Sequence, residues 1–177
     1  MTSRTPVNPG SGVSVRRART SDVRAVRALL DAYSRDRILL DKPTVTLYED
    51  IQEFWVAERE EDGRVMGCGA LHVMWEDLAE VRTLAVDPAA RGTGVGHMLL
   101  EKLLETARTL GVRRIFCLTF EVDFFARHGF TEIEDAPVDV DVHSELLRSY
   151  DEGVAEFLGL ERVKPNTLGN SRMLLHL

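Results

Sequence analysis

The chain has 177 residues, 44% hydrophobic and 29% charged, a length and balance that suit one globular domain with its own core and leave little room for a second. Its formal charge of -7 argues against nucleic acid as the default partner, since phosphate binding is driven by concentrated Lys and Arg, while local basic pairs can still bind a small anion. No apolar run is long enough for a membrane span, so neither nucleic acid nor membrane is expected as a partner.

Residues 1–12 are rich in Thr, Ser, Pro and Gly and read as a disordered leader rather than a signal peptide. The remainder, 13–177, reads as a single domain working in the cytoplasm. Residues 13–19 alternate through Val13, Val15 and Ala18 as a first strand. Thr20-Ser21-Asp22 then offers N-cap residues to a helix carrying Val23, Val26, Leu29, Leu30 and Tyr33. The stretch 35–43 mixes charge with Ile38-Leu39-Leu40 and stops at Pro43, as an ordered loop would. Thr44 or Thr46 caps a second helix with Leu47, Tyr48 and Ile51. Apolar runs 54–57 and 65–73 flank Asp62-Gly63, a hairpin signal, and a strand over 80–86 completes an antiparallel meander.

The run Leu84-Ala-Val-Asp-Pro-Ala-Ala-Arg-Gly-Thr-Gly-Val-Gly-His97 ends that strand at Asp87-Pro88, because proline cannot extend a central ladder. From Thr93 a helix opens, with Val95, Met98, Leu99, Leu103, Ala107 and Leu110 at helical spacing and Gly111 as its C-cap. A buried strand over 114–120, a short helix over 123–128 and a strand over 130–133 follow. One late helix over 144–158, weakened by Gly153, and a last strand over 173–177 complete the chain. This order gives an α/β fold, a mixed sheet with helices on both faces. Cys68 and Cys117 lie in apolar strand-like runs, the pattern of reduced core thiols and not of a disulfide framework.

The glycine run carries the chemistry. Gly92, Gly94 and Gly96 let backbone approach a ligand closely, and the first amides of the helix have no intrahelical partner and sit at the positive end of its dipole. A pyrophosphate is the natural guest of such an end, although three glycines serve a plain tight turn equally well. The spacing excludes a Walker loop, since Gly96 is followed by His97-Met98, and a dinucleotide fingerprint, since the pattern is Gly-x-Gly-x-Gly.

Arg91-Gly-Thr-Gly-Val-Gly96 resembles the acetyl-CoA loop of the GNAT superfamily of N-acetyltransferases. Glu80-Val-Arg-Thr-Leu-Ala-Val86 resembles the strand that ends at the cofactor in that superfamily, and Phe124-Phe-Ala-Arg-His-Gly-Phe130 its closing segment, so the likeness covers about residues 13–133. Ile38-Leu-Leu-Asp-Lys42, Gly67-Cys-Gly-Ala-Leu71 and Phe116-Cys-Leu-Thr119 are similar to the N-acetylglutamate synthases in their short bacterial form without an amino-acid-kinase domain. The resemblance implies a mostly antiparallel sheet with a splayed parallel strand pair, and transfer of acetyl from acetyl-CoA, without a metal, to the α-amine of glutamate or glutamine, the first step of arginine biosynthesis.

It also implies roles. Backbone at Leu84 and Val86 would hold the pantetheine arm, and an N–H near Ala85 or Val86 the reacting oxygen. Arg91, Gly92, Thr93, Gly94, Val95, Gly96 and His97 would hold the pyrophosphate. Glu80 would act through water as general base, with His72 second, and Lys42, Arg82, Thr119 and Arg172 would line the amino-acid site. Period-2 spacing puts Arg82 on the same strand face as Glu80, and a basic, amide-rich tail over 164–172 is placed to close over the substrate. Two departures stand out. Phe125 replaces the tyrosine that many relatives use to protonate the leaving thiolate, and Glu121 is acidic where related synthases tend to be basic, which favours glutamine as an acceptor beside glutamate. Acetylation of another small amine or a protein N-terminus, a CoA-sensing module without catalysis, and a homodimer all remain open at this stage.

Overall fold

The computed structural model describes residues 12–34, 42–160 and 170–177. The expected leader over 1–11, most of the 35–43 loop and the first part of the basic tail, 164–169, lie outside the described residues. The elements are β1 (Val13–Arg17), α1 (Val23–Ser34), α2 (Thr44–Glu49), β2 (Phe54–Arg59), β3 (Val65–Trp75), β4 (Leu78–Val86), α3 (Val95–Leu110), β5 (Arg114–Thr119), α4 (Val122–Ala126), β6 (Thr131–Glu132), α5 (Val140–Leu146), α6 (Glu152–Leu158) and β7 (Ser171–His176). The strands form one seven-stranded sheet in the order β1-β2-β3-β4-β5-β7-β6, mostly antiparallel, with β4 and β5 parallel. Among the described residues no helix is long and apolar enough to cross a membrane.

The chain divides into two compact units, Met1–Ala70 with Thr83–Leu103 and Leu71–Arg82 with Leu104–Leu177, so β3, β4 and α3 each contribute to both. In the first unit the period-2 alternation of the strands sorts apolar residues onto two faces. Phe54, Val56, Cys68, Ala70 and Ala85 pack against Val23, Val26, Leu29 and Leu30 of α1 and Leu47 of α2. Their neighbours Trp55, Ala57, Met66, Leu84 and Val86 pack against Ala90, Val95 and Leu99 at the start of α3. Helices therefore cover both faces here. A Cβ on Gly67 would stand 2.9 Å from Leu99 Cδ1 and 3.1 Å from the Ala85 carbonyl, so glycine is what allows α3 to lie this close to β3.

Thr83 has φ +59°, a left-handed conformation that a β-branched residue rarely adopts. It sits within β4, after Arg82, and beyond it Leu84 and Val86 face one side and Ala85 the other. At the start of α1, the Asp22 carboxylate accepts the Arg19 amide at 2.7 Å and pairs with Arg16 Nη1 at 2.7 Å. The Arg16 hydrogen bond outweighs burial and holds that carboxyl below its ordinary value.

In the second unit Met74, Leu78, Phe116, Leu146, Val154, Phe157 and Leu174 form the core, with the Phe116 and Phe157 rings edge to face at 5.0 Å. β5 pairs with β7 along its whole length, from Arg114–His176 to Thr119–Ser171. Its parallel pairing with β4 stops after three positions, Leu78–Arg114 to Glu80–Phe116, so the two strands part beyond Glu80. The late helix expected over 144–158 is two helices, α5 and α6, with Ser149, Tyr150 and Asp151 between them. The apolar spacing runs on through the break and conceals it, while Asp151 caps α6 by accepting the Val154 N–H at 2.9 Å. Helix α3 begins at Val95 and not at Thr93, because the Thr93 amide and hydroxyl both donate to the Ala90 carbonyl and keep that residue in a turn.

Candidate active site

The end of β4 is anchored before the glycines begin. The Asp87 amide donates to the Met66 carbonyl at 2.8 Å, its carboxylate accepts the Ala89 amide at 2.9 Å and pairs with Arg64 at 2.6 Å. A 3-10 turn over Pro88–Ala90 leads into Gly92 at φ +75° and Gly94 at φ +89°. Backbone in this region is cheap only for glycine. The amide of Met98 bonds to the Gly94 carbonyl at 3.0 Å, and the amides of Gly94, Val95 and Gly96 precede that bond without an acceptor inside the helix. Around Gly92 nothing lies within 4 Å of where a Cβ would stand, so the turn is open where an anion would enter. The Val95 side chain is buried in the core, which fixes the helix start while its amide stays on the turn. These residues fit the diphosphate of coenzyme A.

Tyr33, on α1, reaches the same strand end. Its hydroxyl donates to the Val86 carbonyl, Arg91 Nε donates to that hydroxyl at 3.4 Å, and the Arg91 guanidinium stands over the tyrosine ring at 5.3 Å. Neither Tyr33 nor its link to Val86 is legible from the glycine motif.

In the second unit the structure brings Glu80 and Arg82 together and adds Asp151 and His72. Glu80 is 5% exposed. Its Oε2 accepts from Arg82 Nε at 3.0 Å and Nη2 at 2.6 Å. Arg82 also donates to Asp151, from Nη1 to Oδ2 at 2.9 Å and from Nη2 to Oδ1 at 2.8 Å. His72 Nε2 lies 3.8 Å from Asp151 Oδ2. Burial disfavours the Arg82 charge, and Glu80 and Asp151 more than restore it, so the guanidinium is held above its ordinary value. Burial likewise pushes the Asp151 carboxyl up, but Arg82, the Val154 N–H and His72 outweigh it and hold the group well below the usual carboxylate range. With both carboxylates ionised and one guanidinium, the cluster carries one net negative charge.

The other expected substrate residues are placed differently. Thr119 Oγ1 accepts the Glu121 amide at 2.8 Å. Arg172, opposite Leu118 in the β5–β7 ladder, donates to the Glu156 carbonyl at 2.9 Å and to the Phe157 carbonyl, closing the C-terminal end of α6, and stands over the Phe116 ring at 5.5 Å. Lys42 precedes α2 in the first unit, half-buried, its carbonyl taking a hydrogen bond from Arg27. Phe125 is buried with its ring edge to face against Phe124 at 5.2 Å and Phe130 at 5.1 Å, a packing role. Asp151 is the member of this ion cluster that the sequence reading missed. Its signal was an N-cap aspartate three residues before Val154, hidden inside an apparently continuous helix.

Neither cysteine can serve as a nucleophile. Burial pushes the Cys68 thiol up to about 12, and burial with the Glu80 charge raises Cys117 further. Both are therefore expected to resist iodoacetamide at about pH 8 in the folded protein and to react once it is unfolded. Intact-mass measurement checks this, and labelling of the native enzyme at free-thiol rates would contradict it.

The mixed sheet whose parallel pair parts after three positions, with β4 running through a glycine turn into a helix, is the fold of the acetyltransferases that this chain resembles. The chain belongs to the acetyltransferase (GNAT) family, whose model matches residues 24–130. It is 63% identical over 162 residues to an amino-acid acetyltransferase of Mycobacterium tuberculosis, covering 91% of this chain and 92% of that protein. A Mycobacterium tuberculosis crystal structure in complex with CoA and NLQ matches at TM-score 0.89 and 62% identity, over 93% of this chain and 99% of that one. The N-acetylglutamate synthase of Neisseria gonorrhoeae, complexed with coenzyme A and N-acetyl-glutamate, matches at TM-score 0.73 and 26% identity, over 93% of this chain but 35% of that longer one.

Proposed function

We propose that residues 13–177 act as one N-acetyltransferase domain that moves the acetyl group of acetyl-CoA onto the α-amine of L-glutamate, the first step of arginine biosynthesis, in the cytoplasm. The observation that carries this reading is the buried Glu80 carboxylate, gripped by Arg82 through Oε2 while, among the described residues, no hydrogen bond reaches Oε1. Bound acetyl-CoA supplies a thioester carbonyl already activated for attack by an amine. The open amides of Gly92, Gly94, Val95 and Gly96, with Arg91, Thr93 and His97 beside them, hold its diphosphate, and backbone at Leu84, Ala85 and Val86 receives the pantetheine arm. The acceptor reaches the enzyme as ammonium, and Glu80 takes its proton through a water at Oε1. As the new C–N bond forms and the C–S bond breaks, the thiolate leaves without help from Phe125, which has no proton to give, and the second proton lost by the acylated nitrogen passes through water to the thiolate.

Arg82 has four of its N–H groups on Glu80 and Asp151, and Arg172 has Nη1 and Nη2 on the Glu156 and Phe157 carbonyls, so recognition of an acceptor carboxylate falls to Lys42 or to the Thr119 hydroxyl. Glu121, whose amide is tied to Thr119, places a negative charge close to that residue and supports L-glutamine as a second acceptor. The bound NLQ of the Mycobacterium tuberculosis relative is one reason to test both. The experiment is thiol release from acetyl-CoA against a panel of amino acids, polyamines and peptides. Turnover confined to glutamate and glutamine is expected; preference for a polyamine or peptide would replace this acceptor, and no turnover on any amine would leave a CoA-sensing module.

A further inference from the structure

We propose that Asp151 is a positioning residue for Glu80, acting through Arg82; this rests on the acetyl-transfer reading above. An arginine facing one carboxylate favours a fork in which two N–H groups meet both oxygens. Here that fork goes to Asp151, whose two oxygens take Nη1 and Nη2 at 2.9 and 2.8 Å. What reaches Glu80 are Nε and the second proton of Nη2, both on Oε2. Asp151 thus turns the guanidinium so that Glu80 is held at one oxygen and its other oxygen stays available. It also supplies the charge that keeps the cluster at one net negative, suited to an ammonium, where Glu80 and Arg82 alone would be neutral.

Two further features serve this placement. The break between α5 and α6 puts Asp151 at the N-cap of α6 rather than on a helix side. Two residues on, a Cβ at Gly153 would collide with Arg82 Nη2 and Glu80 Oε2, so only glycine lets the first turn of α6 lie this close. The glycine that weakens the helix in the sequence is the contact surface of the ion cluster.

Asp151→Asn and Asp151→Ser both retain an N-cap side chain for α6 while removing the charge and the second oxygen of the Arg82 fork. With purified enzyme, both are expected to lower kcat for the amino-acid acceptor by about tenfold or more, with the KM for acetyl-CoA within about twofold of the parent. A residue that only capped α6 would leave kcat unchanged in these variants, and that result overturns the proposal. The nitrogen-15 resonances of the Arg82 side chain give a readout independent of turnover: they are expected to shift and broaden in Asp151→Asn as the fork is lost. Unchanged Arg82 resonances overturn the proposal even where the parent acetylates no amino acid, a finding that would by itself sink only the acetyl-transfer reading.

Discussion

Glu80→Gln is expected to lower kcat for amino-acid acetylation by about 10²- to 10³-fold, within the range that a positioned general base contributes. Glutamine has nearly the shape of glutamate and its amide oxygen can still accept from Arg82, so the cluster keeps its packing. It has no oxygen that takes a proton at neutral pH. The substitution does not orphan the buried guanidinium, because Asp151 continues to pair with it in two hydrogen bonds. Thermal unfolding should therefore move far less than catalysis, and the KM for acetyl-CoA should stay near that of the parent. A second signature separates a missing base from a damaged fold. Without a base the enzyme can use only acceptor that has already lost its proton in solution, so the residual rate should rise about tenfold per pH unit while ammonium predominates. Parent-like kcat in the variant would move the role to His72, which approaches the cluster from Asp151.

The parts of this molecule legible from its residues are those governed by short-range rules. Asp87-Pro88 stops a strand, glycines mark positive φ, and Val95, Leu99 and Leu103 repeat at helical spacing, so the strand, turn and helix that meet at residues 92–96 were readable in order. Period-2 spacing likewise placed Arg82 beside Glu80, and the two do bond. Its use was not readable, since Asp151, the second carboxylate that binds Arg82, comes 69 residues later and is brought in by tertiary packing. Leu146, Leu147, Tyr150, Val154 and Phe157 keep a helical rhythm across the gap between α5 and α6, although Tyr150 is 96% exposed and belongs to neither helix. Thr83 was hidden for the opposite reason. Local preference argues against a left-handed threonine within a strand, and packing on both sides of β4 overrides it.

Gly94→Val is expected to raise the Kd for acetyl-CoA at least tenfold, about 1.4 kcal/mol or more. Gly94 sits at φ +89°, where an L residue with a branched β carbon is strained, and its carbonyl accepts the Met98 amide that closes the first turn of α3. A valine there either pulls the turn toward ordinary φ, turning the amides of Val95 and Gly96 away from a common point, or stays and puts two methyl groups beside the phosphate. Both routes weaken anion binding, and backbone strain alone does not have to. Gly111→Ala supplies the control: this glycine has φ +85° with nothing within 4 Å of the added carbon, at the other end of α3, so the substitution carries strain without obstruction. It should lower the melting temperature and leave the acetyl-CoA Kd unchanged. Isothermal titration on the three proteins, each first checked for folding by circular dichroism, distinguishes the cases. Equal affinity in the parent and Gly94→Val would mean that the diphosphate is held elsewhere and that these glycines serve the turn alone.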